Sequence, residues 1–278
     1  MLYVFRHNIF TFSAFDLPSP NRHKTVSKAI FPLVLSAAFT LSLALSPAVQ
    51  AGSKTADFRA PLESMSASFN PDMADLSESA EALATSLYNE LDLSSLGLSF
   101  EAMKYAYKGY EYLRNTGALS NSDVLTVVDF SQTSRKKRMY IIDVAHREVL
   151  MNTYVAHGKN TGLDMAASFS NTHESLQSSL GFYVTKGTYF GKHGLSLKLD
   201  GREKGINNNA ESRAVVLHGA EYIGEHRKGS SYMGRSFGCP AVPQAEVDKI
   251  IRLIKNGTML FIYHPTNSYL HGSKILNS

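Results

Sequence analysis

Residues 215–220 read Val-Val-Leu-His-Gly-Ala, and residues 234–241 read Gly-Arg-Ser-Phe-Gly-Cys-Pro-Ala. In the first stretch an apolar run typical of a β-strand ends at His218, and a glycine follows it. In the second stretch Cys239, the single cysteine of the chain, lies between a glycine and a proline. Glycine permits close approach of another backbone, and proline favours an extended conformation for the residue before it. The two stretches therefore predict a strand end and a tight turn that present an imidazole and a thiol.

A thiol and an imidazole in such a context favour nucleophilic catalysis. A free thiol has a pKa of about 8.5, so a nearby imidazole is needed to take its proton at neutral pH. The thiolate then attacks an amide carbonyl, the imidazolium protonates the leaving amine, and a thioester remains. Backbone N–H groups of residues 236–239 are the expected oxyanion donors. A lone cysteine is otherwise most often a buried, inert residue, and only its neighbours favour the reactive interpretation.

The same stretches resemble the L,D-transpeptidases with a YkuD-like domain, in particular the murein L,D-transpeptidase catalytic domain proteins. The resemblance covers roughly residues 122–265 and includes four further segments, at residues 157–160, 179–183, 191–194 and 199–201. It implies a mainly β fold, a sandwich or barrel with one or more helices, and a site in a groove under a flap. It also implies attack on peptidoglycan stem peptides at the bond between meso-diaminopimelate and the terminal D-Ala, with transfer through a thioester to give a 3→3 cross-link.

The resemblance also assigns roles to individual residues. Cys239 is the expected nucleophile, His218 the general base and acid, and the Gly219 carbonyl the group that holds the imidazole. Gly238 and Cys239 are expected to supply oxyanion amides. The other expected oxyanion or substrate contacts are Ser236, Arg235, Tyr183 and His193.

Two positions depart from the family pattern. Many members have histidine two residues before the nucleophile and arginine or asparagine two residues after it, whereas this chain has Phe237 and Ala241. Contacts to the donor stem are therefore expected from Arg235, His193 or the long loops. Three alternatives stay open: transfer to an amine, transfer to water by a carboxypeptidase or endopeptidase, and an inactive module that only binds peptidoglycan.

Two of the expected contacts have alternative interpretations. His193 lies in a polar Gly-Lys-His-Gly segment, where it either binds a carboxylate of the substrate or is a solvated loop residue. Phe182 and Tyr183 are neighbours on a predicted strand, so one of them faces the core and the other the groove.

Patterning divides the chain into five parts. A helix is expected from a capping box at Asp75, and a second helix between Ser99 and Gly117. Another is expected to contain Pro243 in its first turn and to end at Gly257. The parts are a signal peptide (1–51), a linker (52–74), a helical segment (75–121), a catalytic domain (122–266) and a C-terminal tail (267–278).

Several other segments have expected roles. Short β-branched and aromatic runs over 122–266 predict strands, with a hairpin turn at Val144–Arg147. Stretches rich in Gly, Asn and Ser at 157–179 and 200–213 predict long functional loops. The basic run at residues 135–138 predicts a charged turn between strands.

Charge and composition narrow the function classes. The formal charge of +4 lies mostly in residues 1–51, and the remainder is close to neutral, which gives no case for nucleic-acid binding. A basic region, an apolar run at Ala29–Leu45 and small residues at Val49 and Ala51 predict cleavage after Ala51 and export to the periplasm or cell wall. Membrane contact is expected only if the segment stays uncleaved as an anchor. One cysteine and the lack of metal-ligand or nucleotide motifs predict no metal and no cofactor.

Overall fold

A computed structural model of the chain describes residues 72–278; the predicted signal peptide and residues 52–71 of the predicted linker lie outside the described residues. No helix within 72–278 is long and apolar enough to cross a bilayer. The helices are α1 (Asp72–Glu90), α2 (Phe100–Asn115), α3 (Val247–Ile254) and α4 (Asn267–Gly272). The strands are β1 (Val124–Asp129), β2 (Met139–Asp143), β3 (Glu148–Thr153), β4 (Gly181–Gly191), β5 (Gly194–Gly201), β6 (Val216–Ala220), β7 (Ala241–Pro243) and β8 (Met259–Tyr263).

All eight strands form one sheet in the order β3-β2-β1-β8-β4-β5-β6-β7. Only the β1–β8 and β6–β7 pairs are parallel. The chain that continues from β3 returns to the opposite edge, where the Ala156 N–H donates to the Ala241 carbonyl of β7 at 2.8 Å. The sheet therefore curls almost into a barrel, which confirms the predicted mainly β fold with a preceding helical segment.

A buried cation supports this closure. Arg138, expected in a charged turn, is instead fully buried at the start of β2. Its Nε and Nη2 donate to the Val155 carbonyl at 3.1 and 3.0 Å, and Nη2 also donates to Nδ1 of His157 at 2.8 Å. Burial lowers the pKa of Arg138 to about 9 and that of His157 to about 4, so a neutral imidazole accepts from a charged guanidinium. The contacts hold the segment that follows β3 in place.

The helix ends follow local chemistry. The Ser99 hydroxyl accepts the Ala102 N–H at 3.3 Å, as the predicted N-cap requires. Gly117, with φ of 68°, ends α2, because the next residue can then donate its N–H back to the Leu113 carbonyl at 2.9 Å. The predicted start at Asp75 is wrong: α1 begins at Asp72, so the expected capping residues lie within its first two turns.

The helical segment shares one hydrophobic core with the sheet. Gly109 in α2 allows this contact, because a Cβ there would lie 2.1 Å from the ring of Phe182 in β4. That ring stacks on Phe261 of β8 with centroids 4.2 Å apart. The face of the sheet covered by α2 is therefore the core, and Phe182 is the core-facing residue expected on this strand.

Three elements differ from expectation. The β4–β5 hairpin continues to Gly191 and Gly194, although the far half of β4 is exposed and lacks the apolar alternation that predicts a strand. Pro243 ends β7 instead of opening a helix, and α3 begins at Val247. Residues 200–213 are pinned rather than free: the buried Asn207 amide donates to the carbonyls of Leu180 and Phe182, each at 3.0 Å.

The predicted C-terminal tail is also part of the fold. It contains α4, and Tyr269, Ile275 and Leu276 are buried in the main core. The Glu203 carboxylate ties this segment down, since it accepts the hydroxyl protons of Tyr269 and Ser273. The sequence pattern of this segment was too short and polar to predict a packed helix.

We therefore expect Ile275→Ala to destabilise the domain by about 2–5 kcal/mol, because truncating a buried isoleucine leaves a cavity. Lys274→Ala, at the exposed neighbouring position, is the matched control and should change the free energy of unfolding by less than about 0.5 kcal/mol. Urea denaturation of both variants measures this. Equal stability of the two variants would mean that the segment does not contribute to the core.

Candidate active site

Strand β6 holds His218 between two neighbouring strands. In register it lies opposite Ser196 of β5 and Ala241 of β7. Its Nδ1 lies 2.9 Å from the Gly219 carbonyl, the contact expected for this residue. A carbonyl can only accept, so Nδ1 carries a proton and Nε2 of the neutral ring is an acceptor. A Cβ at position 219 would lie 2.6 Å from Oε1 of Gln244, so glycine leaves room for this side chain.

The turn that carries the thiol is braced from inside by Ser236. Its hydroxyl donates to the Cys239 carbonyl at 2.6 Å and accepts the Gly238 N–H at 3.1 Å. Gly238 has φ of 124°, a conformation that favours glycine. The Gly238 N–H is thus already bonded and is not available as the expected oxyanion donor. The Cys239 N–H has no hydrogen-bond partner among the described residues.

The chain that closes the sheet braces the turn from outside. Ser236 donates its N–H to the His157 carbonyl at 3.0 Å and accepts the Lys159 N–H at 2.8 Å. The buried Ser178 hydroxyl accepts the Gly158 N–H at 3.0 Å and donates to the Gly238 carbonyl at 3.1 Å. These hydrogen bonds hold the turn from the side of the closing chain, so it has little freedom to shift.

The sulfur of Cys239 lies against the start of β6. It accepts the Val216 N–H at 3.4 Å and lies 3.7 Å from the Ala214 carbonyl. Burial raises the pKa of the thiol, while the Val216 N–H and the positive charges of Arg213 and Lys192 act in the opposite direction. Burial also lowers the pKa of His218, an effect that His193 and Lys192 reinforce and the Gly219 carbonyl opposes. Both shifts favour the neutral thiol and the neutral imidazole.

A cavity of about 500 Å³ joins these groups. Cys239 and His218 both line it, together with three other predicted residues, Ser236, Arg235 and His193. The His193 ring stacks on the His218 ring with centroids 4.3 Å apart and planes 20° from parallel. His193 lies at the tip of the β4–β5 hairpin, so this hairpin overhangs the cavity as a flap.

Tyr183 is not at the site. It is fully buried, and its hydroxyl is bonded to the hydroxyl and carbonyl of Ser179 at 2.7 and 2.9 Å. The predicted role as a substrate contact is therefore wrong. Neither Phe182 nor Tyr183 faces the groove, because the sheet curls and both of its faces are covered at this point.

Among the cavity residues that were not predicted as site residues are Lys192, Arg213 and Tyr222. Lys192 lies in the 191–194 segment of the family resemblance, whereas the place of Arg213 and Tyr222 depends on chain segments that meet only in the fold. Phe237, which replaces a family histidine, also lines the cavity and is 65% exposed at its mouth. Within residues 72–278 no three His, Cys, Asp or Glu side chains are grouped closely enough to hold a metal ion.

Comparison with known proteins agrees with this architecture. A family model described as the L,D-transpeptidase catalytic domain matches residues 94–263, which is more than half of the chain. No curated protein matches the chain.

Solved structures of L,D-transpeptidases also match. The protein from Mycobacterium smegmatis is 14% identical with a TM-score of 0.31, over 51% of this chain and 59% of that one. The protein from Stackebrandtia nassauensis is 12% identical with a TM-score of 0.32, over 68% of this chain and 93% of that one. For the protein from Xylanimonas cellulosilytica the identity is 15% and the TM-score 0.31, over 66% and 93%.

This chain spans 59% of the length of the Mycobacterium smegmatis protein, and the low TM-scores add nothing to the assignment. The assignment comes from the family model, whose match covers both the helix before the sheet and all eight strands. The chain belongs to the L,D-transpeptidase catalytic domain family.

Proposed function

We propose that this chain is a cysteine L,D-transpeptidase that acts on peptidoglycan stem peptides through a thioester. The observation that carries the proposal is that the only thiol of the chain and a backbone-held imidazole line one cavity. The family assignment supports acyl transfer as the reaction class. Cys239 is the nucleophile, and His218 is the general base and then the general acid.

The acylation step follows from the protonation states. As Sγ attacks the carbonyl carbon of meso-diaminopimelate, Nε2 of His218 takes the thiol proton, because Nδ1 is already a donor to Gly219. The oxyanion accepts the free Cys239 N–H. The imidazolium then protonates the amine of D-Ala as the C–N bond breaks, and a thioester remains.

The deacylation step uses the same residue in reverse. Neutral His218 removes a proton from the side-chain amine of a second stem, the amine attacks the thioester, and the thiolate leaves and is reprotonated. The product is a 3→3 cross-link. With water as the acceptor, the same intermediate gives a free tripeptide, and the protein is then a carboxypeptidase or endopeptidase.

Export is part of the proposal. The family relationship favours a place in the cell envelope, and residues 1–51 have the pattern of a cleaved signal. On this account the catalytic domain works in the periplasm or at the wall. The mass of the exported protein tests this, since cleavage gives a chain that begins at Gly52, and a full-length mass contradicts it.

We expect wild-type protein incubated with disaccharide-tetrapeptide muropeptides to release D-Ala and form dimers, and Cys239→Ser to do neither. His218→Gln should slow turnover by about 10²–10⁴-fold, because it removes general acid–base catalysis. His146→Gln, at an exposed histidine on the β2–β3 turn, is the matched control and should keep wild-type turnover. Chromatography with mass spectrometry measures both products.

The product pattern separates the alternatives. Tripeptide monomer without dimer identifies water as the acceptor. If folded wild-type protein releases no D-Ala and forms no dimer, the protein is a binding module, and the proposed reaction is wrong.

A neutral Cys239 and His218 also imply how the reactivity of the thiol depends on pH. Iodoacetamide reacts with the thiolate, and burial raises the pKa of Cys239, so the alkylation rate should rise with pH through a midpoint above the ordinary thiol value of about 8.5. Because the chain has one cysteine, the mass increase that is absent in Cys239→Ser reports on this residue. A midpoint below about 7 would instead indicate a thiolate–imidazolium pair in the resting protein.

A further inference from the structure

The charged residues that line the cavity all carry a positive charge. Lys192, Arg213 and Arg235 line it, and no aspartate or glutamate does. Within the described part of the chain, none of the three forms a salt bridge with a carboxylate. A cleft of low dielectric that is lined by one sign of charge attracts ligands of the opposite sign. These charges favour an anionic ligand in the cavity.

Among the three cations, Arg213 is held by the largest number of hydrogen bonds. Its Nη1 donates to the Ser170 carbonyl at 2.8 Å and to the Ser179 hydroxyl at 3.3 Å. Its Nη2 donates to the Gln177 carbonyl at 2.7 Å and to the Ser175 hydroxyl at 3.2 Å. All four acceptors are neutral oxygens, so the guanidinium is immobilised while its charge stays uncompensated.

Arg213 also lies next to the thiol turn. Ala214 follows it with φ of 54° and directs its own carbonyl to within 3.7 Å of the sulfur of Cys239. A Cβ at Gly238 would lie 3.6 Å from Nη2 of Arg213. The Nε–H has no hydrogen-bond partner among the described residues, and this leaves a donor for a ligand.

The other two cations are less suited to define a subsite. Lys192 lies at the exposed tip of the flap and has a flexible stem. Arg235 donates to the carbonyls of Lys159 and Gly162 and stacks over Tyr232, 4.9 Å from the ring centroid. The residues next to Lys192 and Arg235 make no backbone contact with the sulfur of Cys239, whereas Ala214, which follows Arg213, does.

We propose that Arg213 binds the C-terminal carboxylate of the acyl donor and thereby distinguishes a free C-terminal acid from an amide at that position. The proposal rests on the proposed function. In a donor that ends in D-Ala the carboxylate is two bonds from the leaving nitrogen, so a cation beside the thiol turn matches it. In a longer or amidated stem a neutral amide occupies that place, and the half-buried charge of Arg213 stays unpaired.

Binding to the catalytically inert Cys239→Ala protein tests this without turnover. The ligands are the stem tetrapeptide L-Ala-γ-D-Glu-meso-diaminopimelate-D-Ala with a free C-terminus and the same peptide as its C-terminal amide. Hydrogen bonds to a charged group contribute about 1.5–3 kcal/mol, so the free acid should bind about 10- to 100-fold more tightly. Calorimetry or NMR titration gives both dissociation constants.

Variants in the same background assign the preference. Arg213→Gln should reduce the ratio of the two constants to about one, and Arg213→Lys should keep part of it, because the charge remains. Arg252→Gln, an exposed arginine on α3, is the matched control and should keep the full ratio. Because Arg213 holds residues 170–179, thermal unfolding of each variant checks the fold, and Arg213→Lys carries the test if Arg213→Gln does not fold.

The outcomes separate two failures. Equal affinity for acid and amide, no binding of either, or an undiminished preference in Arg213→Gln each overturns the role of Arg213. If the preference is present and depends on Arg213, but wild-type protein neither releases D-Ala nor reacts at Cys239, the carboxylate subsite stands and the proposed reaction fails.

Discussion

The backbone pairing between residues 156–159 and residues 236–241 is the constraint on which the site depends. It closes the sheet, because the chain that continues from one edge strand meets the strand at the other edge. On the inner side, Ala241 is paired with His218 in the parallel β6–β7 ladder. The thiol turn is thus held from both sides, and the imidazole and the thiol face one cavity as a consequence of closure.

Polar side chains make the close approach of residues 156–159 to residues 236–241 possible. Two hydroxyl side chains, those of Ser178 and Ser236, satisfy donors and acceptors that the approach of two backbones would otherwise leave buried and unpaired. An unsatisfied buried group costs about 1–3 kcal/mol, so these contacts help to fix the position of the thiol. Glycines at 158 and 238 leave the space for it, since a Cβ on either would lie within 3.0 Å of a backbone atom.

Burial also determines the electrostatics of the site. It raises the pKa of Cys239 and lowers that of His218, which favours a neutral pair that ionises only as the thiol attacks. A resting ion pair would need a stronger compensating charge near the sulfur. The nearby cations, Arg213 and Lys192, instead make the cavity attractive for an anionic donor.

Local signals in a few adjacent residues predicted six of the eight described strands, the caps of α2 and the importance of His218 and Cys239. Strands β5 and β7 were not predicted, and neither was the far half of β4, which is exposed and lacks the alternation that indicates a strand. The burial of Tyr183 and the cavity position of Arg213 follow from how distant segments meet. No pattern of adjacent residues predicts those contacts, and the resemblance to a family did not include them.

The intact mass of the protein after incubation with a carbapenem tests the central claim most directly, since this β-lactam acylates an activated nucleophile and stays attached. The account predicts that wild-type protein gains the mass of one carbapenem and that Cys239→Ser gains none. The gain should be slowed in His218→Gln, which lacks the general base. An unchanged mass for folded wild-type protein, or an adduct that persists in Cys239→Ser, would contradict the assignment of Cys239 as the nucleophile.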